Sequence, residues 1–246
     1  MSESKAGGVS LWGKIGGASL GFALGGPLGA LLGALAGHYV VDSDSSPFAA
    51  DPEIVFTTGL IALAAKMAKA DGVVTLDEEA AFRRIVEVPP TEAARVHRLF
   101  DLARQTSDGF EAYAAQIAER FSDKPELLED VLDGLFHIAK ADGAVHEAEH
   151  RYVARVAGIF GFDEAAFARV EARHVITRDD PWLVLGASRD WDDATLRRHY
   201  RRLVAENHPD RQMALGLPAE AVRIAGDRLA RINAAWDRVA SQRGLR

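Results

Sequence analysis

Apolar positions recur along this chain in three rhythms, and each predicts a different kind of helix. From Ile15 to Val41 there are 27 residues without Asp, Glu, Lys or Arg. As a helix this run is roughly 40 Å long against a hydrocarbon core of about 30 Å, which predicts a tilted transmembrane helix. Gly13, Gly17, Gly21, Gly25, Gly29, Gly33 and Gly37 repeat every four residues. They share one slowly rotating face where a second backbone can approach, so the stripe predicts a homodimer contact. So much glycine disfavours a helix in water, whereas lipid obliges every backbone group to bond internally. A re-entrant hairpin turning at Gly25-Gly26-Pro27 is the competing reading, its halves too short to span. A cleaved leader fits poorly, because the run is long and has no distinct cleavage region. A flexible linker is opposed by Leu20, Phe22, Leu24, Leu28, Leu31, Leu32 and Leu35.

After a Ser-, Asp- and Pro-rich linker at 42–52, the chain shows no strand-like alternation, and residues 53–172 read as a bundle of about six or seven helices. Met67-Ala68-Lys69-Ala70-Asp71-Gly72 recurs 71 residues later as Ile138-Ala139-Lys140-Ala141-Asp142-Gly143. Each copy ends an apolar-periodic helix with a glycine stop and leads into another helix. Thr75-Leu76-Asp77-Glu78 reads as a capping box, and further starts are signalled at Thr91, Asp108, Lys124-Pro125 and Asp163.

The third rhythm occupies 177–246. From Asp193 to Glu206, Leu196, Tyr200, Leu203 and Val204 share one helical face while Arg197, Arg198, Arg201 and Arg202 point the other way. From Glu220, a second stripe of Ala225, Leu229, Ile232, Trp236 and Val239 is placed to pack antiparallel on the first. Between them, Pro209 drives His208 out of helical geometry and donates no backbone hydrogen bond. The first helix should therefore stop near Asn207, leaving His208 and Asp210 at an exposed bend. The fold class is all-α throughout.

Composition narrows the function. The 246 residues are 48% hydrophobic and 26% charged, with net charge -7. From Thr177 onward there are 13 Lys and Arg against 10 Asp and Glu, which leaves 16 against 26 in the rest. An acidic whole argues against nucleic-acid binding, which needs a concentrated basic surface. With no cysteine there are neither disulfides nor thiolate metal sites.

The C-terminal residues resemble the J-domain of the DnaJ family. Asp180-Pro181-Trp182-Leu183-Val184-Leu185-Gly186 is similar to its opening helix with a Leu-Gly stop, and Arg197 to Asp210 to its second helix with the His-Pro-Asp loop. Arg231-Ile232-Asn233-Ala234-Ala235-Trp236 resembles the Ile-Asn-x-Ala-Tyr stretch of its third helix. Trp182 and Trp236 replace the usual tyrosines, and Asn207 stands where an aromatic or basic residue often precedes the histidine. The loop Arg211 to Glu220 is closest to the membrane-anchored, DjlA-like subgroup. The resemblance implies a co-chaperone that binds a DnaK-type chaperone and stimulates its ATP hydrolysis, making and breaking no bond itself. It implies a chaperone-binding role for His208, Pro209 and Asp210, with Asp210 engaging an arginine of the partner and Arg197, Arg198, Arg201 and Arg202 meeting an acidic surface. No cofactor is required.

Residues 53–172 resemble the TerB domain through the doubled Lys-Ala-Asp-Gly with a following acid. Asp71 with Glu78 and Asp142 with Glu149 form two equally spaced pairs. Converging acids of this kind suit a hard divalent cation, although neither copy has the Asp-x-Asp-x-Asp-Gly series of an EF-hand. The competing reading is helix caps and acids that complement helix dipoles. His146 and His150, one turn apart, are metal ligands or a solvated helix face.

Localisation at the inner membrane follows from residues 1–41, with orientation argued two ways. Lys5 and Lys14 before the segment and Asp42 and Asp44 after it favour a cytoplasmic N-terminus. An ATP-dependent partner and the DjlA-like resemblance instead place the bulk of the chain in the cytoplasm; a hairpin satisfies both. The rival function is a stress- or metal-sensing module built on the TerB-like bundle with a secondary J-domain. An enzyme using His208 and Asp210 as an acid-base pair lacks a neighbouring nucleophile, metal set or phosphate loop.

Overall fold

A computed structural model describes residues 26–30, 52–70, 81, 93–103, 109–141, 143–175, 180–214, 216–217 and 219–245. A short helical turn at 26–30 precedes α1 (Pro52–Ala70), α2 (Ala93–Ala103), α3 (Phe110–Arg120), α4 (Pro125–Ala139), α5 (Glu147–Ile159) and α6 (Glu164–Ala172). There follow α7 (Pro181–Leu185), α8 (Asp193–Glu206), α9 (Pro209–Ala214) and α10 (Ala219–Arg243). The described residues contain helices and no strand, so the fold is all-α.

Helix α1 is apolar around its circumference, and a helix of that kind belongs at the centre of a bundle. Phe56, Leu60, Ile61, Leu63 and Met67 are buried on it, and α2, α3, α4 and α5 pack around it. Even Lys66 is buried, its Nζ 5.3 Å from the Tyr113 ring centroid. The Tyr152 hydroxyl donates to the Leu63 carbonyl at 2.9 Å and ties α5 to α1. Helix α4 opens with Pro125 in its first turn, where a missing N–H costs nothing. Helix α6 opens on Asp163, whose carboxylate accepts from the Ala166 N–H at 2.7 Å. Gly143 of the second repeat has φ 110°, the positive region expected of a glycine stop.

Leu28 and Gly29 are buried against this bundle, and the Leu28 N–H donates to Gln116 Oε1 of α3 at 3.0 Å. A spanning helix would present Leu28 to lipid; here it joins the bundle core. No helix of the described residues is long and apolar enough to cross a membrane. Gly17, Gly21, Gly25, Gly33 and Gly37, like most of the 42–52 linker, lie outside the described residues.

A second core lies under the C-terminal helices, made by Trp182, Val184 and Leu185 of α7, Leu196 of α8 and Ile232, Ala235 and Val239 of α10. Ala172 of α6 completes it, so this core is continuous with the last helix of the bundle. Asp180 caps α7 by accepting from Trp182 N–H at 2.9 Å, and Gly186 ends it in the left-handed region at φ 60°. Tyr200 and Trp236 stack with centroids 4.3 Å apart and planes 6° from parallel. Trp182 is buried while its indole N–H donates to Gln242 Oε1 at 3.0 Å. Both tryptophans thus serve as apolar bodies, with Trp182 also satisfying its polar atom.

Candidate functional site

The exposed feature is the bend between α8 and α9. Helix α8 stops at Asn207, as the proline predicts, with Asn207 N–H and Nδ2 both bonding the Leu203 carbonyl, at 3.0 and 2.8 Å. Beyond it the chain departs from expectation. Residues from Arg211 onward were expected as loop, but Pro209 to Ala214 form α9. Pro209 sits at the first helical position, where its fixed φ starts a helix as readily as it ends the one before. His208 precedes it and its Nδ1 accepts from Asp210 N–H at 3.2 Å.

The side chains of His208 and Asp210 are 48% and 78% exposed, with Nδ1 and Oδ2 3.6 Å apart. Met213, on the same short helix, is a large apolar side chain left 57% exposed. Along α8, Arg198, Arg201 and Arg202 are exposed and Arg197 is half-buried. Arg198 donates to Thr195 Oγ1 at 3.1 Å, and Arg202 to His199 Nδ1 at 3.0 Å. His199 in turn donates from Nε2 to the Leu185 carbonyl at 2.7 Å. The bend thus follows directly on the helix that carries the cationic face, and that helix is held to α7 through His199 and to α10 through Tyr200.

Behind the bend lies a buried ion network that the sequence pattern did not reveal. Arg228 of α10 donates from Nε to Asp133 Oδ2 at 2.7 Å and from Nη2 to Asp130 Oδ1 at 2.5 Å. Its Nη1 donates to Asn207 Oδ1 at 3.1 Å. Asp133 also faces Arg173, at 3.3 Å, and His174, at 2.7 Å. Arg173 bonds Glu129 at 2.6 Å. Arg231 donates to His174 Nδ1 at 2.9 Å, so the imidazole must give its Nε2 proton to Asp133 and is neutral. The His174 ring stacks on Phe136 with centroids 5.2 Å apart.

The charges sort themselves by these contacts. Burial would raise Asp133, but Arg173, Arg228 and the His174 hydrogen bond hold its carboxyl well below the usual range. Burial, opposed by Arg228, pushes Asp130 up to about 7. Burial also pulls His174 down to about 4, against the attraction of Asp133. Two guanidiniums, Arg173 and Arg228, therefore match Glu129 and Asp133, leaving Asp130 as the surplus carboxyl. Its Oδ2 is buried without a hydrogen-bond partner. The signal available in the sequence was slight: Asp130 and Asp133, three apart, lie among the buried apolar positions of α4, and an arginine lies inside an apolar stripe.

Of the acids considered for a divalent cation, Asp71, Glu78 and Asp142 lie outside the described residues. Glu149 is buried and accepts from His146 N–H at 2.9 Å, a helix-capping bond at the start of α5. His150 bonds Glu171 through Nε2 at 2.8 Å. Among the described residues no group of three or more His, Cys, Asp or Glu is gathered as a metal site.

Residues 57–172 match the family model of the tellurite resistance protein TerB, and residues 5–47 match that of the co-chaperone DjlA transmembrane domain. The co-chaperone protein DjlA of Coxiella burnetii is 28% identical over 268 residues, covering 95% of this chain and 98% of that one. That of Photobacterium profundum is 27% identical, over 96% of this chain and 100% of its own. With the DjlA of Shewanella oneidensis the identity is 31% over 136 residues, half of this chain and 52% of the relative. No solved structure matches. With both family models matched in this order and likeness to DjlA proteins running nearly end to end, the chain is DjlA-like.

Proposed function

We propose that this chain is a membrane-anchored J-domain co-chaperone that binds a DnaK-type chaperone and stimulates its ATP hydrolysis. The observation that carries the reading is the exposed His208-Pro209-Asp210 bend at the end of a cationic helix, in a chain similar throughout to proteins named co-chaperone DjlA. Asp210 offers an exposed carboxylate to a partner arginine, the strong charge-assisted pairing that a guanidinium favours. Arg197, Arg198, Arg201 and Arg202 speed encounter with an acidic surface and lose that advantage as salt screens them. Met213 adds an apolar contact beside the bend. The His208 and Asp210 pair is a recognition element, because the bend offers no enclosed site around a reacting atom.

Residues 5–47, matched by the transmembrane model, supply the anchor, and the glycines on either side of the bundle-packed Leu28 and Gly29 supply a face for self-association. The helical body lies on the cytoplasmic side, where the chaperone consumes ATP. The test is binding of the nucleotide-loaded chaperone to the full chain over a salt series. Affinity should fall with salt for the wild type, and Asp210→Asn should bind weakly at every salt. Salt-independent binding, or unchanged affinity in Asp210→Asn, would count against the reading.

A further inference from the structure

We propose that Arg228 and Asn207 are positioning residues of the His208-Pro209-Asp210 bend, through which acids of the TerB-type bundle set how the bend is offered to the chaperone. The inference rests on the co-chaperone reading above and assigns roles to residues outside the bend and its cationic face.

Arg228 joins the bundle to the bend through its guanidinium fork. A guanidinium presents its donors in fixed directions, and here three nitrogens go to three separate side chains. Nε and Nη2 take Asp133 and Asp130 of α4, and Nη1 takes Asn207 Oδ1 at the end of α8. With its side chain 1% exposed and its charge matched by the α4 carboxylates, Arg228 has no alternative solvated position at low cost. Asn207 is fixed from both sides, because its Nδ2 donates back to the Leu203 carbonyl while its Oδ1 accepts from Arg228. The residue immediately before His208 therefore has its side chain pinned to the bundle.

The bend is braced on two further sides. Pro209 Cγ lies 3.8 Å from where a Cβ on Gly226 would stand, so the ring packs on α10 two residues before Arg228. Arg211, one residue past Asp210, reaches Glu126 of α4 at 3.8 Å. Ile224 of α10 approaches Gly134 of α4 closely, its Cδ1 3.3 Å from where a Cβ would be. Helix α4 thus touches α9 and α10, the two helices that follow the bend, and reaches the end of α8 through Arg228 and Asn207. This also gives a reason for Asn207: an aromatic or basic side chain there would supply no acceptor for Arg228.

A residue that only glued the seam would alter stability. A positioning residue alters the maximal stimulation by chain already bound. The experiment is single-turnover ATP hydrolysis by the chaperone against increasing full-length chain in detergent, for wild type, Asn207→Leu, Asn207→Asp and Asp210→Asn, with tryptophan fluorescence confirming folding. Asn207→Leu should lower maximal stimulation about tenfold, the scale of one lost hydrogen bond to a charged group, with the half-saturating concentration unchanged. Asn207→Asp, which keeps an oxygen for Arg228, should stay within about twofold of wild type. If Asn207→Leu does not fold, Asn207→Ser, too short to reach Arg228, carries the same expectation. A wild-type maximum in the Leu or Ser variant, a change confined to half-saturation, or an Asp variant as low as Leu would overturn the inference. Absence of stimulation by the wild type would instead overturn the co-chaperone reading itself.

Discussion

Arg228→Met is the perturbation whose size the structure fixes best. It removes the donors that Arg228 gives to Asp133 and Asp130, both buried. Asp133 keeps Arg173 and His174, whereas Asp130 keeps no partner among the described residues. Removing one member of a buried ion network costs about 3–5 kcal/mol, chiefly because a polar group is stranded. Adding Asp130→Leu removes the stranded carboxyl and should recover about 1–3 kcal/mol. Urea unfolding followed by tryptophan fluorescence reads the effect where it matters, since three of the four tryptophans, Trp182, Trp191 and Trp236, lie in the C-terminal region. The expected order of stability is wild type, then the double variant, then Arg228→Met. A single variant as stable as wild type, or a double variant weaker than the single, would refute the reasoning that the carboxylates of α4 depend on Arg228.

Three other expectations come from separate parts of the structure. Because burial holds His174 at about 4 against 6.5 when unfolded, the unfolded chain takes up a proton between those values that the folded chain does not. The stability advantage of wild type over His174→Gln should therefore shrink as pH falls through that window, by about 3 kcal/mol in all, and a pH-independent difference would contradict the neutral imidazole. Arg201→Glu with Arg202→Glu should weaken chaperone binding at low salt and flatten its salt dependence; an unchanged salt slope would remove the cationic face from the interface. Gly186→Ala should lower stability by more than about 1 kcal/mol in thermal unfolding, since φ is 60° and the new Cβ would lie 2.6 Å from Arg169 Cδ. A neutral effect would mean that the α7 stop relaxes freely.

What could be read in advance follows the range of the interactions involved. The face of α8 was legible because Leu196 and Tyr200 recur at helical spacing with arginines opposite, and its end was legible because Pro209 acts on its immediate neighbours. Helix α9 was missed because the same proline also serves at a first helical position, so one residue carried two local meanings. Asp130 and Asp133 drew no notice because their partner lies 98 and 95 residues away, and no local pattern connects them. Leu28 fits the apolar run expected to face lipid, yet it is buried against α3 and the bundle core. An apolar side chain meets the same requirement in either setting, and composition does not distinguish them. Glu149, read as one of four acids for a cation, is occupied in capping α5, a role that its position three residues after His146 also permits.

If the bend acts on the chaperone's nucleotide chemistry, single-turnover hydrolysis of chaperone-bound ATP responds to it. Full-length wild-type chain should accelerate the turnover, and His208→Gln, folded to the same stability, should leave the rate at that of the chaperone alone. Equal acceleration by both proteins, or none by the wild type, would contradict the account.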